Sequence, residues 1–422
     1  MGVKSGEGAS DDPGATQEGK SVTIGISFFG EDPLKTTALT RKLGGYTSAT
    51  VFSVAALDDA RRVGLGSPWT IKPEVQKGFE FLEKYYLQTG ASAYQGSVCD
   101  GRYWDTILIQ RALAESKWTT RDLYSSADYL EKIQQPEGGI PFGLDFEKAP
   151  DVDDTAEYII ALAHTDPGRY SKTLKQAADW ILQMQSHDGG WGAFDRNNNG
   201  NTLLELFVKK FEDSADLFDN SSADVTGHVL EALAALGMRA SESKAMKNAV
   251  EYLKAAQDPK RFTWSGRWGV NALYGTSAAL IGLIEAGESP QASYIQRSLS
   301  WMESVQNADG GFGETTASYD DPARTGKGLS TPSQTAWVLQ GLLEAGRGSS
   351  PVAQRAIRYL VGEFHRQGQW IDTSVVGTGH PSIVYLNYPS YPYAFPLMAL
   401  GKYLGSLQSG VGPKAPGETG HW

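Results

Sequence analysis

The sequence predicts an all-α protein, and three observations carry that expectation. Residues 175–185 (KQAADWILQMQ), 245–257 (AMKNAVEYLKAAQ), 333–346 (SQTAWVLQGLLEAG) and 156–164 (AEYIIALAH) place apolar side chains at three- and four-residue spacings, the periodicity of a helix. Most such stretches stop at Gly, Asp-Gly or Pro, and none sustains a period-two alternation between hairpin turns, so β-structure should be minor. The third observation is a recurring unit: an aromatic-aliphatic pair, a Gln four residues on, then a Gly and an aromatic.

From the N-terminus, residues 1–20 are rich in Gly, Ser and Asp and read as a disordered tail, as do residues 409–422 (SGVGPKAPGETGHW). Residues 46–64 (YTSATVFSVAALDDARRVG) and 73–90 (PEVQKGFEFLEKYYLQTG) read as helices. The unit then appears as Trp180-Ile181 with Gln185, Gly190 and Trp191, and as Trp301-Met302 with Gln306, Gly311 and Phe312. Looser copies run through Tyr129-Leu130, Gln134 and Gly139, through Tyr252-Leu253, Gln257 and Trp268, and through Tyr359-Leu360, Gln367 and Trp370. In each, a side-chain amide at a helix end can satisfy exposed backbone groups of a turn while the aromatic stacks on it, so the unit is a staple between adjacent helices.

Composition removes several functions. A net charge of -11 with no Lys/Arg-rich block argues against nucleic acid, whose phosphates need clustered cations. The single cysteine, Cys99, permits no intrachain disulfide and makes the cytoplasm the expected compartment. The chain shows no signal-peptide core and no apolar run near the ~18 residues of a membrane span, so any membrane contact is expected to be peripheral.

Candidate chemistry centres on Pro150-Asp151-Val152-Asp153-Asp154-Thr155-Ala156, where three carboxylates lie within four residues ahead of an apolar helix. Asp at a helix start caps free N–H groups, which is one reading. The other is that three crowded carboxylates in a partly apolar site cannot all ionise, so at least one keeps a proton and can act as an acid. Further on, Asp224 and His228 fall on one face of a helical stretch (SADVTGH).

The recurring unit resembles the QW motif of the squalene-hopene and oxidosqualene cyclases. The resemblance runs from about Tyr103 to about Tyr403 through RYWDT, PDVDDTA, GGWGAFD, ADVTGHVLE, GRWGVN, SVQNADGGFGE, STPSQTAW and a tyrosine-rich tail. It implies an α/α barrel of the α6-α6 type and a class II terpene cyclase, which protonates a terminal alkene or epoxide of a linear polyprenyl chain and closes rings through carbocations. It further implies that Asp153 is the proton donor, that Asp151 and Asp154 support it, and that His228 hydrogen-bonds it, with Asp224 orienting His228. No metal and no cofactor is expected.

A migrating carbocation needs π faces that stabilise without capturing it. By motif position, Trp104, Phe142 and Trp268 are expected to line the substrate site, with Tyr274, Tyr385, Tyr388 and Tyr391 in the same set. Three further positions of that set depart from the family pattern: Phe194 replaces a Tyr, and His380 and Val384 replace two Phe. Losing two late π faces implies fewer rings than the five made from squalene, with a His as terminating base or head-group contact. Only about a hundred residues precede Trp104, so the second barrel of two-domain members is expected to be missing or vestigial, with residues 21–408 a single barrel domain in which helices of 21–100 take its place, as in single-domain meroterpenoid cyclases acting on prenylated aromatics. The substrate is expected to be a squalene-like or aromatic-headed isoprenoid.

Other signals carry less. Residues 195–206 begin like a calcium loop, but position twelve is Leu206 where a Glu is needed. Asp320-Asp321 lacks the third carboxylate of a magnesium site that would ionise a diphosphate. A protein prenyltransferase β-subunit would share the barrel but needs a cysteine-containing zinc site, and Cys99 has no evident partners. An inactive cyclase-like barrel that binds isoprenoids is the alternative to the enzyme.

Overall fold

The computed structural model describes residues 86–88, 94–96, 101–117, 123–143, 149–198, 219–381 and 384–408. Both expected tails and the expected helix at residues 46–64 lie outside them. The fold is all-α, as expected. The helices are α1 (Arg102–Glu115), α2 (Tyr124–Ile133), α3 (Val152–Thr165), α4 (Ser171–Gln183), α5 (Ala223–Ala235), α6 (Lys244–Ala256), α7 (Ala272–Glu285), α8 (Ser293–Ser304), α9 (Pro332–Glu344), α10 (Pro351–Gln367) and α11 (Tyr391–Gln408). Three two-stranded antiparallel sheets accompany them: β1 (Tyr86–Gln88) with β2 (Tyr94–Gly96), β3 (Ile140–Pro141) with β4 (Pro150–Asp151), and β5 (Gly377–His380) with β6 (Val384–Leu386). The first corrects the sequence reading, which ran a helix to residue 90: Tyr86, Leu87 and Gln88 pair with Gly96, Gln95 and Tyr94, and that ladder takes the place of helical hydrogen bonds.

The odd-numbered helices form a closed inner ring, packing α1 on α3, α3 on α5, α5 on α7, α7 on α9, α9 on α11 and α11 back on α1. Their sequences explain the placement. Every residue of α7 from Ala272 to Leu283, of α9 from Pro332 to Leu342 and of α3 from Val152 to Leu162 is buried, as a helix surrounded by others requires. Inner helices approach closely where side chains vanish: a Cβ on Gly227 of α5 would lie 2.4 Å from the Ala278 carbonyl oxygen of α7. The even-numbered helices lie outside and bury one stripe each, such as Met246, Ala249, Val250 and Leu253 of α6.

Gln residues of the recurring unit tie each outer helix to the next. Gln134 donates to the Gly138 carbonyl in its own turn and the Thr173 carbonyl in the first turn of α4, both at 3.0 Å. Gln185 does the same to Gly189 and Ala245, and Gln306 to Gly310 and Val352. The aromatics act by hydrogen bonding as well as by bulk: the Nε1–H groups of Trp191, Trp264 and Trp370 donate to the carbonyls of Ile181, Leu253 and Leu360. Two positions correct the sequence reading. Trp264, not Trp268, is the aromatic of the Gln257 unit, and Gln367, seven residues past Leu360 where the other units have four, bonds Glu363 of its own helix.

Inner helices also start alike. Asp151, Ser222 and Thr331 stand at the N-cap positions of α3, α5 and α9, Asp151 and Thr331 capping through their side chains, and four residues later the hydroxyls of Thr155, Thr226 and Thr335 accept the backbone N–H groups of Ile140, Trp191 and Phe312. The resulting helix starts gather at one end of the ring.

Candidate active site

At the start of α3, Asp151 uses Oδ1 to accept the N–H groups of Asp153 and Asp154 at 2.6 and 3.1 Å, a side-chain N-cap. Asp153 is then turned toward α5, where its Oδ1 lies 2.6 Å from His228 Nδ1. Asp154 is buried at 2 % exposure, and its Oδ1 finds no hydrogen-bond partner among the described residues. Burial first, then Asp153, pushes the Asp151 carboxyl well above the usual range; burial first, then Asp151, Asp153 and Glu157, does the same to Asp154. Crowding and burial thus favour proton retention in this cluster relative to an exposed carboxyl. Burial alone would lower the His228 ring, but Asp153, Glu157 and Glu231 outweigh it and raise the ring to about 9.

Sequence reasoning missed Glu157, one turn beyond Asp153 on α3. Its Oε1 lies 3.9 Å from His228 Nδ1, and both its oxygens are held by Arg111 Nη1 at 2.8 Å. Arg111 also binds Glu115 at 2.7 Å and Glu231, so one buried guanidinium joins carboxylates from α1, α3 and α5. Burial opposes that charge, yet Glu115, Glu157 and Glu231 hold the guanidinium well above its ordinary pKa. The available signal was an acid and a base embedded in otherwise apolar helical runs, AEYIIALAH and ILIQRALAE.

Asp224 does not orient His228, contrary to expectation. Its Oδ2 accepts the N–H groups of Arg267 and Trp268 at 2.7 and 2.8 Å and its Oδ1 accepts Ser222 Oγ at 2.6 Å, so it fixes the loop that carries Trp268. That loop joins β5, with Thr378 N–H donating to the Trp268 carbonyl at 3.0 Å.

The aromatic residues form a continuous series beginning at the acid. His228 stands edge-on to Tyr274 at 5.7 Å, Tyr274 packs on Trp337 at 4.7 Å, and Trp337 meets Tyr391 at 6.2 Å and Phe395 at 5.4 Å. Tyr388 stacks on Tyr391 at 4.4 Å and meets Phe142 at 6.4 Å, while Trp104 Nε1 donates to Tyr391 Oη at 3.3 Å. Tyr274 can lie this way because Gly269 leaves room: a Cβ there would be 2.4 Å from its ring. Trp337 and Phe395 were not singled out from sequence, although both fall inside matching segments. Trp268 and Phe194 meet at 5.9 Å, and the Arg267 guanidinium covers one face of Trp268 at 4.4 Å. Tyr385 sits against Tyr319 at 6.2 Å. His380 and Val384 belong to β5 and β6 opposite each other; their side chains lie outside the description. No cluster of three or more metal-binding side chains occurs among the described residues.

The squalene-hopene cyclase C-terminal domain matches residues 104–405. The chain belongs to the squalene-hopene cyclase family. It is 36% identical over 417 residues to squalene-hopene cyclase of Alicyclobacillus acidocaldarius, covering 88% of this chain and 65% of that protein. It is 36% identical over 373 residues to squalene-tetrahymanol cyclase of Tetrahymena thermophila, covering 85% of this chain and 56% of that protein. This family member thus spans about half to two thirds of the length of these relatives. Among solved structures it resembles ent-copalyl diphosphate synthase from Streptomyces platensis, with TM-score 0.55 and 21% identity over 77% of this chain and 55% of that one. It also resembles the type II terpene cyclase MstE from Scytonema, solved as an aspartate-to-alanine variant with its product merosterolic acid A, with TM-score 0.51 and 16% identity over 76% of this chain and 90% of that one. These structural likenesses support the barrel fold.

Proposed function

We propose that the protein is an acid-initiated cyclase of linear isoprenoids, with Asp153 as the proton donor. The observation that carries this is the pairing of Asp153 with His228 inside a buried cluster of three crowded aspartates, beside a series of aromatic faces. Asp153 transfers its proton to a terminal carbon of the substrate alkene; the π pair forms the new C–H bond and leaves a tertiary cation. The carboxylate left on Asp153 is stabilised by the His228 imidazolium. Each following double bond attacks the cation, closing a ring and moving the charge along the aromatic series, until a proton is lost or water adds.

Tyr274, Trp337, Tyr391, Tyr388, Phe142 and Trp104 supply π faces without a strong nucleophile, which is what a carbocation needs. Asp151 positions Asp153 by accepting its N–H, and Asp154 is the buried carboxyl crowded beside it. His380 and Val384 stand where the resemblance expects Phe, which supports a cascade that stops short of five rings. Two named relatives act on squalene, and one MstE structure carries geranylgeranyl dihydroxybenzoate. Both substrate types belong in the test.

Purified protein and Asp153→Asn are incubated with squalene, geranylgeranyl dihydroxybenzoate and a plain geranylgeranyl chain, and products are read by mass spectrometry and NMR. A cyclic product from the wild type alone supports the reading and assigns the substrate. Linear material in every tube favours an inactive isoprenoid-binding barrel instead.

A further inference from the structure

A row of ionisable groups runs from the acid into the barrel wall. Asp153 comes first, with His228 Nδ1 2.6 Å from its Oδ1. Glu157, four residues past Asp153 on α3, puts Oε1 3.9 Å from the same Nδ1. Arg111 of α1 then holds both Glu157 oxygens through Nη1 at 2.8 Å. Asp153, His228, Glu157 and Arg111 are all buried, so water screens none of them and each charge depends on its neighbours.

Proton donation makes two demands on His228. After transfer, the carboxylate left on Asp153 needs a cation beside it, which the imidazolium supplies. Before transfer Asp153 is neutral, and the buried ring has then lost its nearest anion. A buried imidazolium beside a neutral carboxyl gives up its own proton unless another carboxylate holds it. The pair would then share one proton where catalysis needs two, and donation would leave a carboxylate facing an uncharged ring.

The second anion can be found by going round the ring element by element. On α3, burial and crowding favour proton retention by Asp151 and Asp154. On α5, Asp224 is taken up by Ser222 and by the N–H groups of Arg267 and Trp268, and Glu231 binds Arg111 Nη2. Tyr274 of α7 stands edge-on to the imidazole, and burial pushes its hydroxyl well above the usual phenol range. The outer neighbour α6 exposes Lys244, Lys247 and Glu251 and pairs Lys254 with Glu251 and Glu288. Among the described residues, Glu157 is the carboxylate besides Asp153 that comes within 4.0 Å of the ring nitrogen. Burial, helped by Glu231, raises the Glu157 carboxyl above its ordinary range against Arg111 and His228, so its negative charge is tied to those two cations. We propose that Glu157 is the counter-ion that keeps His228 protonated while Asp153 still carries its proton, a positioning residue acting through the ring. This rests on the reading of Asp153 as proton donor.

The test labels the histidines of the full chain with nitrogen-15 and titrates the His228 ring by NMR, its signal identified by its loss in His228→Gln. Asp153→Asn stands in for the neutral acid. In that variant the ring should still titrate above the ordinary 6.5, and adding Glu157→Gln should lower the midpoint by at least about one pH unit, a tenfold loss of proton affinity. Equal midpoints in the two overturn the proposal. Glu157→Asp in the same background keeps the charge and should hold the midpoint above 6.5. It is also the variant to read if Glu157→Gln does not fold, and a midpoint below 6.5 there overturns the proposal as well. These titrations need no substrate, so they decide the role of Glu157 separately from the cyclase reading; a wild type that makes no cyclic product counts against that reading. With Asp153 intact, Glu157→Gln should lower kcat about tenfold near pH 8 with KM unchanged, and Glu157→Asp should restore most of it. An unchanged kcat, or a rise in KM alone, overturns the proposal.

Discussion

His228 Nδ1 lies 2.6 Å from Asp153 Oδ1, and the two residues come from neighbouring inner helices, so the pair exists only when α3 and α5 are packed. This makes the imidazole a test of mechanism as well as of structure. Asp153→Asn should lower product formation by at least about 10³-fold, and His228→Gln by about 10²-fold, in the range for loss of a positioned acid or its partner. The double variant should be little worse than Asp153→Asn alone. Initial rates by chromatography, with circular dichroism to show intact helices, decide it; additive losses would mean the two residues act separately.

The pH dependence follows from the same pair. His228 is raised from 6.5 to about 9, so its contribution to stability is fully present below about 6.5 and is lost as pH rises through about 9. The integrated effect is of order 3 kcal/mol, at 1.36 kcal/mol for each unit. Activity should also fall as pH rises, because a neutral ring no longer offsets the carboxylate left on Asp153. Urea midpoints measured from pH 6 to 10 should decline, and His228→Gln should remove this limb of the stability curve; rates measured over the same range should also decline.

Arg111 should prove a structural residue with a severe phenotype. Arg111→Met leaves Glu115, Glu157 and Glu231 without their shared buried cation, and breaking a buried pair costs about 3–5 kcal/mol. Thermal unfolding should show a large drop. Adding Glu157→Gln should recover part of it; no recovery would mean that packing, not charge, is what Arg111 supplies.

Staple and aromatic substitutions should separate stability from product. Gln306→Ala removes hydrogen bonds to Gly310 and Val352 and should cost about 1–3 kcal/mol while leaving the product pattern unchanged. Tyr388→Leu should do the reverse, changing the ratio of products with a smaller loss of melting temperature. A Gln306→Ala enzyme with a new product spectrum would contradict that division.

Much of this was legible in the chain because it is repetitive. Helical periodicity and the spacing of Gln and Trp announced outer helices, and residues 150–156 announced the acid cluster. What the chain concealed was direction. Asp224 and His228 share a helix face, yet Asp224 bonds the Arg267 and Trp268 N–H groups of a loop more than forty residues away, a contact that no local pattern encodes. Trp264 and Trp268 are one turn's length apart in sequence, and only the carbonyl of Leu253 decides which of them staples and which faces Phe194. Glu157 was hidden differently, inside an apolar run whose only departure from a core helix was the acid itself.

The inner helices begin with one design used several times, and its consequence reaches beyond folding. Asp153, Asp224 and Ser333 occupy the same place, two residues past the caps of α3, α5 and α9. Asp224 is saturated by backbone and hydroxyl donors, and Ser333 binds Asp372 from its N–H and hydroxyl at 3.0 and 2.5 Å, so both are parts of the frame. Asp153 differs in meeting a titratable ring. On the proposed function, the proton donor is the one of these three sockets latched by an ionisable ring in place of the frame's fixed donors.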